Sequence, residues 1–249
     1  MSNISGMKMI SEFSGTFILA GSIIYMTVYD QGSQSNSLFA ILAGFFVAVT
    51  LTREISGGHL NPGVTFAIYF AEQDRREKGE KANQLWMYIV SQLAGALSAV
   101  FFGWIIYDDN SFKMAPHEGS HASEAFAMEV FGSFVFYLII LVQGDKDAKL
   151  YNDKTVSTIV VVAGLCAGIA MSGNVSGGCL NPALGFAFNL GRLLATAKID
   201  EVRYLWVYLL GPILGAFTAA YFYHNLFRRY FELENSDEKK TKLIPLEEF

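Results

Sequence analysis

Ser56-Gly-Gly-His-Leu-Asn61-Pro62-Gly63 and Ser176-Gly-Gly-Cys-Leu-Asn181-Pro182-Ala183 are one phrase written twice, 120 residues apart. In each, Asn and Pro head a short apolar tract, GVTFAIYF after Pro62 and ALGFAFNLGRLL after Pro182. Proline is favoured at the first helical position, and asparagine is among the best N-caps because its side-chain oxygen accepts a backbone N–H. Both tracts therefore read as helices that begin at the proline. Neither is long enough to cross ~30 Å of hydrocarbon, so each is expected to enter a membrane and turn back.

Working outward, the repetition extends beyond the two phrases. Glu12-Phe-Ser-Gly15-Thr16-Phe17 echoes Glu129-Val-Phe-Gly132-Ser133-Phe134 at an offset of 117, and Gly95-Ala96 echoes Gly215-Ala216 at 120. Around these lie six longer apolar tracts, roughly 13–28, 38–51, 85–107, 122–142, 156–171 and 204–227. Each half holds three of them, an odd number, so the second half lies upside down relative to the first. Inverted repeats of this kind place a transport site at the midplane, where the halves meet.

Composition agrees. Of 249 residues, 52% are hydrophobic and 16% charged, against ~25% charged in soluble domains. The formal charge of −5 argues against nucleic-acid binding. Disorder and a disulfide-stapled scaffold are excluded by the same apolar excess and by only 2 Cys. The opening MSNISGMKMISEF does not read as a cleaved signal peptide, so the first span is expected to act as its own signal. If both termini are cytoplasmic, 14 of the 18 basic residues fall on the inside, leaving Lys113, Arg192, Lys198 and Arg203 elsewhere. The connections 72–83, 108–121 and 143–154 are polar. The tail from Arg228 is mixed in charge and reads as a solvated or flexible end.

The chemistry follows from the two asparagines. With each side-chain oxygen committed to a cap, the NH₂ is expected to be free, and two amide donors from inverted half-helices point into one lumen with two positive helix ends behind them. Such a site favours neutral hydrogen-bond acceptors over cations.

These residues resemble the major intrinsic protein family of aquaporins and aquaglyceroporins, from Glu12 to about Phe227. The resemblance rests on SGGHLNPG (56–63) and SGGCLNPA (176–183), supported by EFSGTF (12–17), SQLAGA (91–96) and WVYLLGPILGA (206–216). It implies an all-α membrane protein, a right-handed bundle of six spans plus two re-entrant half-helices, assembled as a homotetramer in a lipid bilayer. Residues 1–227 form one channel domain, with repeats at about 8–107 and 122–227, and 228–249 a cytoplasmic tail. No cofactor or metal is expected, and the permeants implied are water and small neutral solutes such as glycerol, urea or ammonia.

Departures from the family pattern are informative. Asn61, Pro62 and Gly63, with Asn181, Pro182 and Ala183, form the expected pore midplane, but Gly63 stands where the family usually has alanine, a change expected to widen the midplane slightly. Leu184 stands where the family almost always has arginine. By similarity, the outer constriction comprises Leu184, Gly178, Ile169 and a span-two residue, Ile41 by ungapped counting or Ala43 with a gap. That ring is apolar throughout. Gly185 matches neither the water-channel nor the glycerol-channel choice, while Tyr208 resembles the former and Leu209 the latter.

Glu12 and Glu129, near the starts of spans one and four, could serve proton coupling. The resemblance instead implies that they accept backbone N–H bonds from the re-entrant loops, with His59 and Gln92 in support. Cys166 and Cys179 read as small apolar fillers. A passive channel is the best reading; a non-conducting or junctional member, and a secondary transporter, are its rivals. No metalloprotease, nucleophile–base or phosphate-loop motif points to an enzyme.

Overall fold

A computed structural model describes residues 3–29, 34–72, 75–107, 114–146 and 148–234. Eight α-helices account for most of them: α1 (Asn3–Tyr29), α2 (Gln34–Ser56), α3 (Pro62–Ala71), α4 (Arg75–Tyr107), α5 (Ala122–Gly144), α6 (Lys154–Ser176), α7 (Pro182–Thr196) and α8 (Leu205–Phe222). Among the described residues six helical stretches are long and apolar enough to span a membrane, and α3 and α7 fall short at 10 and 15 residues.

The spans outrun their apolar tracts. The connection expected at 72–83 is helical from Arg75, because its Arg, Glu and Lys are strong helix formers continuous with the span that follows. Lys81 pairs there with Glu72. Span six also continues past Phe227, through a π-turn at Tyr223–Arg228 and on as helix to Glu234. The remainder of the tail lies outside the described residues.

The packing repeats with the sequence. α1 packs on α2 and α4, and α5 packs in the same way on α6 and α8. Each half-helix docks across the repeat boundary, α3 against α8 and α7 against α4. The closest crossings fall at glycine. A methyl on Gly215 would lie 2.8 Å from Val130 O, and one on Gly95 would lie 2.3 Å from Phe13 O. Small residues let membrane helices approach to backbone contact where no water drives them together.

Candidate functional site

The two half-helices meet head to head. Asn61 Oδ1 accepts from Gly63 N at 2.7 Å and Asn181 Oδ1 from Ala183 N at 3.0 Å, each capping the helix its proline begins. The amide groups are not wholly free, contrary to the sequence expectation. Asn61 Nδ2 donates to Leu180 O at 2.8 Å, and Asn181 Nδ2 donates to Leu60 O at 3.0 Å. Each NH₂ thus spends one N–H on the opposite phrase and retains one. The reason is local. Leu60 and Leu180 hold left-handed backbone, φ 54° and 49°, which presents their carbonyls to the opposite cap.

Left-handed backbone costs a non-glycine residue roughly 1–2 kcal/mol, so it must be held. Glu12 accepts from His59 N at 3.0 Å, Leu60 N at 2.8 Å and Ser56 Oγ at 2.6 Å. Glu129 does the same for Cys179 N at 2.9 Å, Leu180 N at 2.8 Å and Ser176 Oγ at 2.7 Å. Gln92 Nε2 reaches Glu12 at 2.7 Å and Thr65 Oγ1 at 3.1 Å, and His59 Nδ1 lies 3.2 Å from the same Thr65 hydroxyl. Tyr88 and Tyr208 brace the two loops from behind, donating to Ser56 O and Ser176 O at 2.6 and 2.7 Å. Tyr208 is a strut packed behind Gly185.

A line of cavities runs through the junction. The first, about 180 Å³, is lined by Asn61 and Asn181 together with Ile41, Ile169, Gly178 and Leu184, so the structure brings all four constriction candidates to one chamber. Ala43 is exposed on α2, whereas Ile41 lines this cavity. Gly178 lies against Ile169, a built Cβ falling 3.2 Å from Ile169 Cα. Phe45 lines this cavity and also a second of about 120 Å³, which holds His59, Arg53, Gln143 and Thr158. His59 in turn is shared with a third, of about 360 Å³, whose walls include Lys81, Glu72 and Arg228. His59 is thus a lining residue as well as a loop support.

Several wall residues were not found by sequence reasoning. Phe45 and Phe136 meet edge to face, ring centres 5.8 Å apart, beside the two asparagines. Nothing in their spacing separates them from ordinary core aromatics. Cys179, read as a filler, also lines the first cavity, its thiol 3.3 Å from Asn181 O.

Gly63 does not widen the midplane. Its missing side chain is occupied by Tyr137 of α5, whose Cζ would lie 2.6 Å from any Cβ there. The Tyr137 hydroxyl donates to Leu180 O at 2.6 Å and sits 3.4 Å from Asn61 Oδ1. A glycine where alanine is usual, opposite a half of the chain that keeps Ala183, was the available signal for such a filler.

The family model described as "Major intrinsic protein" matches residues 2–223. The chain belongs to the major intrinsic protein family. Among relatives in that family, a probable aquaporin NIP7-1 of Arabidopsis thaliana is 29% identical over 224 residues, covering 87% of this chain and 75% of the relative. An aquaglyceroporin of Toxoplasma gondii is 26% identical, covering 88% and 80%. Aquaporin AqpM of Methanothermobacter marburgensis is 29% identical, covering 88% and 96%. The crystal structure of the aquaglyceroporin from Plasmodium falciparum superposes with a TM-score of 0.77 over 92% of this chain and 99% of that one, at 23% identity. The architecture of the major intrinsic proteins, six spans and two half-helices, is the architecture of this multi-pass membrane protein.

Proposed function

We infer that the protein is a passive transmembrane channel for water and small uncharged solutes, with Asn61 and Asn181 as the donors at its midplane. One observation carries the reading. Two half-helices too short to span present their capped ends to each other in the wall of the first of a line of cavities, each asparagine keeping one N–H for a passing oxygen. Relatives named aquaporin and aquaglyceroporin support it.

Three finer statements belong to the same proposal. The channel works as a homotetramer with a pore in each subunit, both termini lie in the cytoplasm, and residues 1–227 make up the channel domain. The ring of Ile41, Ile169, Gly178 and Leu184 carries no cationic donor, so passage there selects by size and dehydration.

Purified protein in proteoliposomes tests this, with osmotic shrinkage measured for water, glycerol, urea and ammonia side by side. Fast, gradient-driven flux with a low activation energy is expected. Flux that required a sodium or proton gradient, or no water flux from assembled protein, would overturn the reading.

A further inference from the structure

The two cavities that share Phe45 are products of the same repeat. Adding or subtracting 120 turns the outer ring of Ile41, Ile169, Gly178 and Leu184 into Val161, Val49, Gly58 and Val64, and all four of those line the second cavity. The inverted halves therefore build two like apolar rings, one in each cavity.

Charge breaks the likeness. Among the described residues no charged side chain lines the first cavity, whereas the second holds Arg53, whose counterpart by the same offset is Gly173, outside the first cavity's walls. Nη1 pins the guanidinium to the start of α6, donating to Lys154 O at 2.5 Å and Thr158 Oγ1 at 2.7 Å. Among the described residues Nε and Nη2 donate no hydrogen bond. Glu54 does not cancel this charge. It is exposed, lies outside the second cavity's walls, and pairs with Lys154 at 2.8 Å with its other oxygen 3.9 Å from Arg53 Nε, so the three together keep a net positive charge. The other polar walls, His59, Gln143, Ser157 and Thr158, bring no negative charge.

We propose that Arg53 is the residue that determines charge specificity in this channel: the cation absent from the outer ring stands in the second cavity, where it turns back hydronium and other small cations while neutral solutes pass. The argument is one of range. A hydrogen bond acts on the solute that touches it, but a fixed charge in a passage of low dielectric raises the energy of a cation several ångströms away. A neutral permeant pays none of this. A proton relayed along a file of waters also escapes much of the dehydration that stops a bare sodium ion, so it is the species for which a fixed cation decides the outcome. An anion drawn toward Arg53 still has to shed its water in the apolar ring. This inference rests on the channel reading, and the test separates the two.

Wild type and variants are reconstituted in proteoliposomes, with proton entry followed by a trapped pH-sensitive dye and water flux by osmotic shrinkage. In Arg53→Gln the proton-to-water permeability ratio is expected to rise about tenfold or more, as removal of a nearby fixed charge requires. Arg53→Lys, which keeps the charge and loses the fork, is expected to hold the ratio within twofold, and Arg53→Gln/Leu184→Arg to bring it back toward wild type. A purely structural role would make Gln and Lys alike, lowering melting temperature in both and not dividing the ratio by charge. If Arg53→Gln does not assemble, Val161→Glu, which keeps the Arg53 bonds and sets a neutralising carboxylate in the same cavity, is expected to give the same rise. A ratio within twofold of wild type in assembled Arg53→Gln or Val161→Glu, or an equal rise in Arg53→Lys, overturns the proposal. Wild type that passes no water overturns the channel reading itself.

Discussion

Gln92 donates its side-chain amide to Glu12 at 2.7 Å, and the second half of the chain has no equivalent, because 120 residues later stands Pro212. Glu12 therefore collects four donors and Glu129 three. Hydrogen bonds to a charged acceptor are each worth about 1.5–3 kcal/mol. Glu12→Gln is expected to lower the melting temperature in detergent more than Glu129→Gln, and Gln92→Leu to bring the two halves closer to parity. Equal losses from the two glutamate variants would show that the extra donor adds nothing.

The caps allow a sharper test than deletion alone. Asn61→Asp preserves an oxygen for Gly63 N but sets a second oxygen against Leu180 O, whereas Asn61→Ala removes cap and crossing bond together. Losing an N-cap costs about 0.5–2 kcal/mol of helix stability. Both variants are expected to lose water flux by roughly fivefold or more, about one hydrogen bond, and Asn181→Ala to behave alike. Full flux from well-assembled alanine variants at both positions would remove the pair from the pore.

Leu184→Arg places a cationic donor in the chamber that Ile41, Ile169 and Gly178 also line. The expected outcome is a lower glycerol-to-water ratio, because the side chain narrows the ring and pairs with water at little cost. An unchanged ratio in a conducting variant would show that Leu184 does not form the constriction.

Cys179 faces the first cavity, and Cys166 is not among its walls. Modification of Cys179 by a bulky organomercurial is expected to stop water flux, and Cys179→Ser to abolish that block while Cys166→Ser keeps it. A block that survived Cys179→Ser would place the reactive thiol elsewhere.

Charge exclusion is expected even without a cation in the ring. Each half-helix end contributes roughly +0.5 of an elementary charge, and a bare ion among Phe45, Phe136 and Ile169 faces desolvation on the order of tens of kcal/mol by Born estimates. Arg53 adds a fixed charge to the second cavity, held by Lys154 O at 2.5 Å and Thr158 Oγ1 at 2.7 Å. Planar-bilayer recordings should show negligible sodium and potassium current. A sizeable, reproducible cation current would show that dipoles and dehydration together fall short.

What was legible in the sequence was whatever repeats. Asn61 and Asn181, Glu12 and Glu129, and the glycines at the crossings announce themselves because one physical task is solved twice at nearly one offset. What breaks the repeat was hidden. Tyr137 has no counterpart, and its role depends on a cavity formed only when α5 meets α3. The crossing bonds were hidden for another reason: an N-cap motif specifies where the side-chain oxygen goes, and the amide's partner lies on a strand of backbone from the other half.

Those crossing bonds also set an order on synthesis. Asn61 finds Leu180 O 119 residues further along the chain, which at 5–20 residues per second means roughly 6–24 s of translation. Until then the first re-entrant loop has its carboxylate support but no partner for its amide, so it cannot be sealed. The first half is expected to wait in the membrane as an open intermediate, and a Leu60→Cys chain stalled before residue 180 should react with water-borne thiol reagents that the finished chain, where Leu60 is fully buried, keeps out.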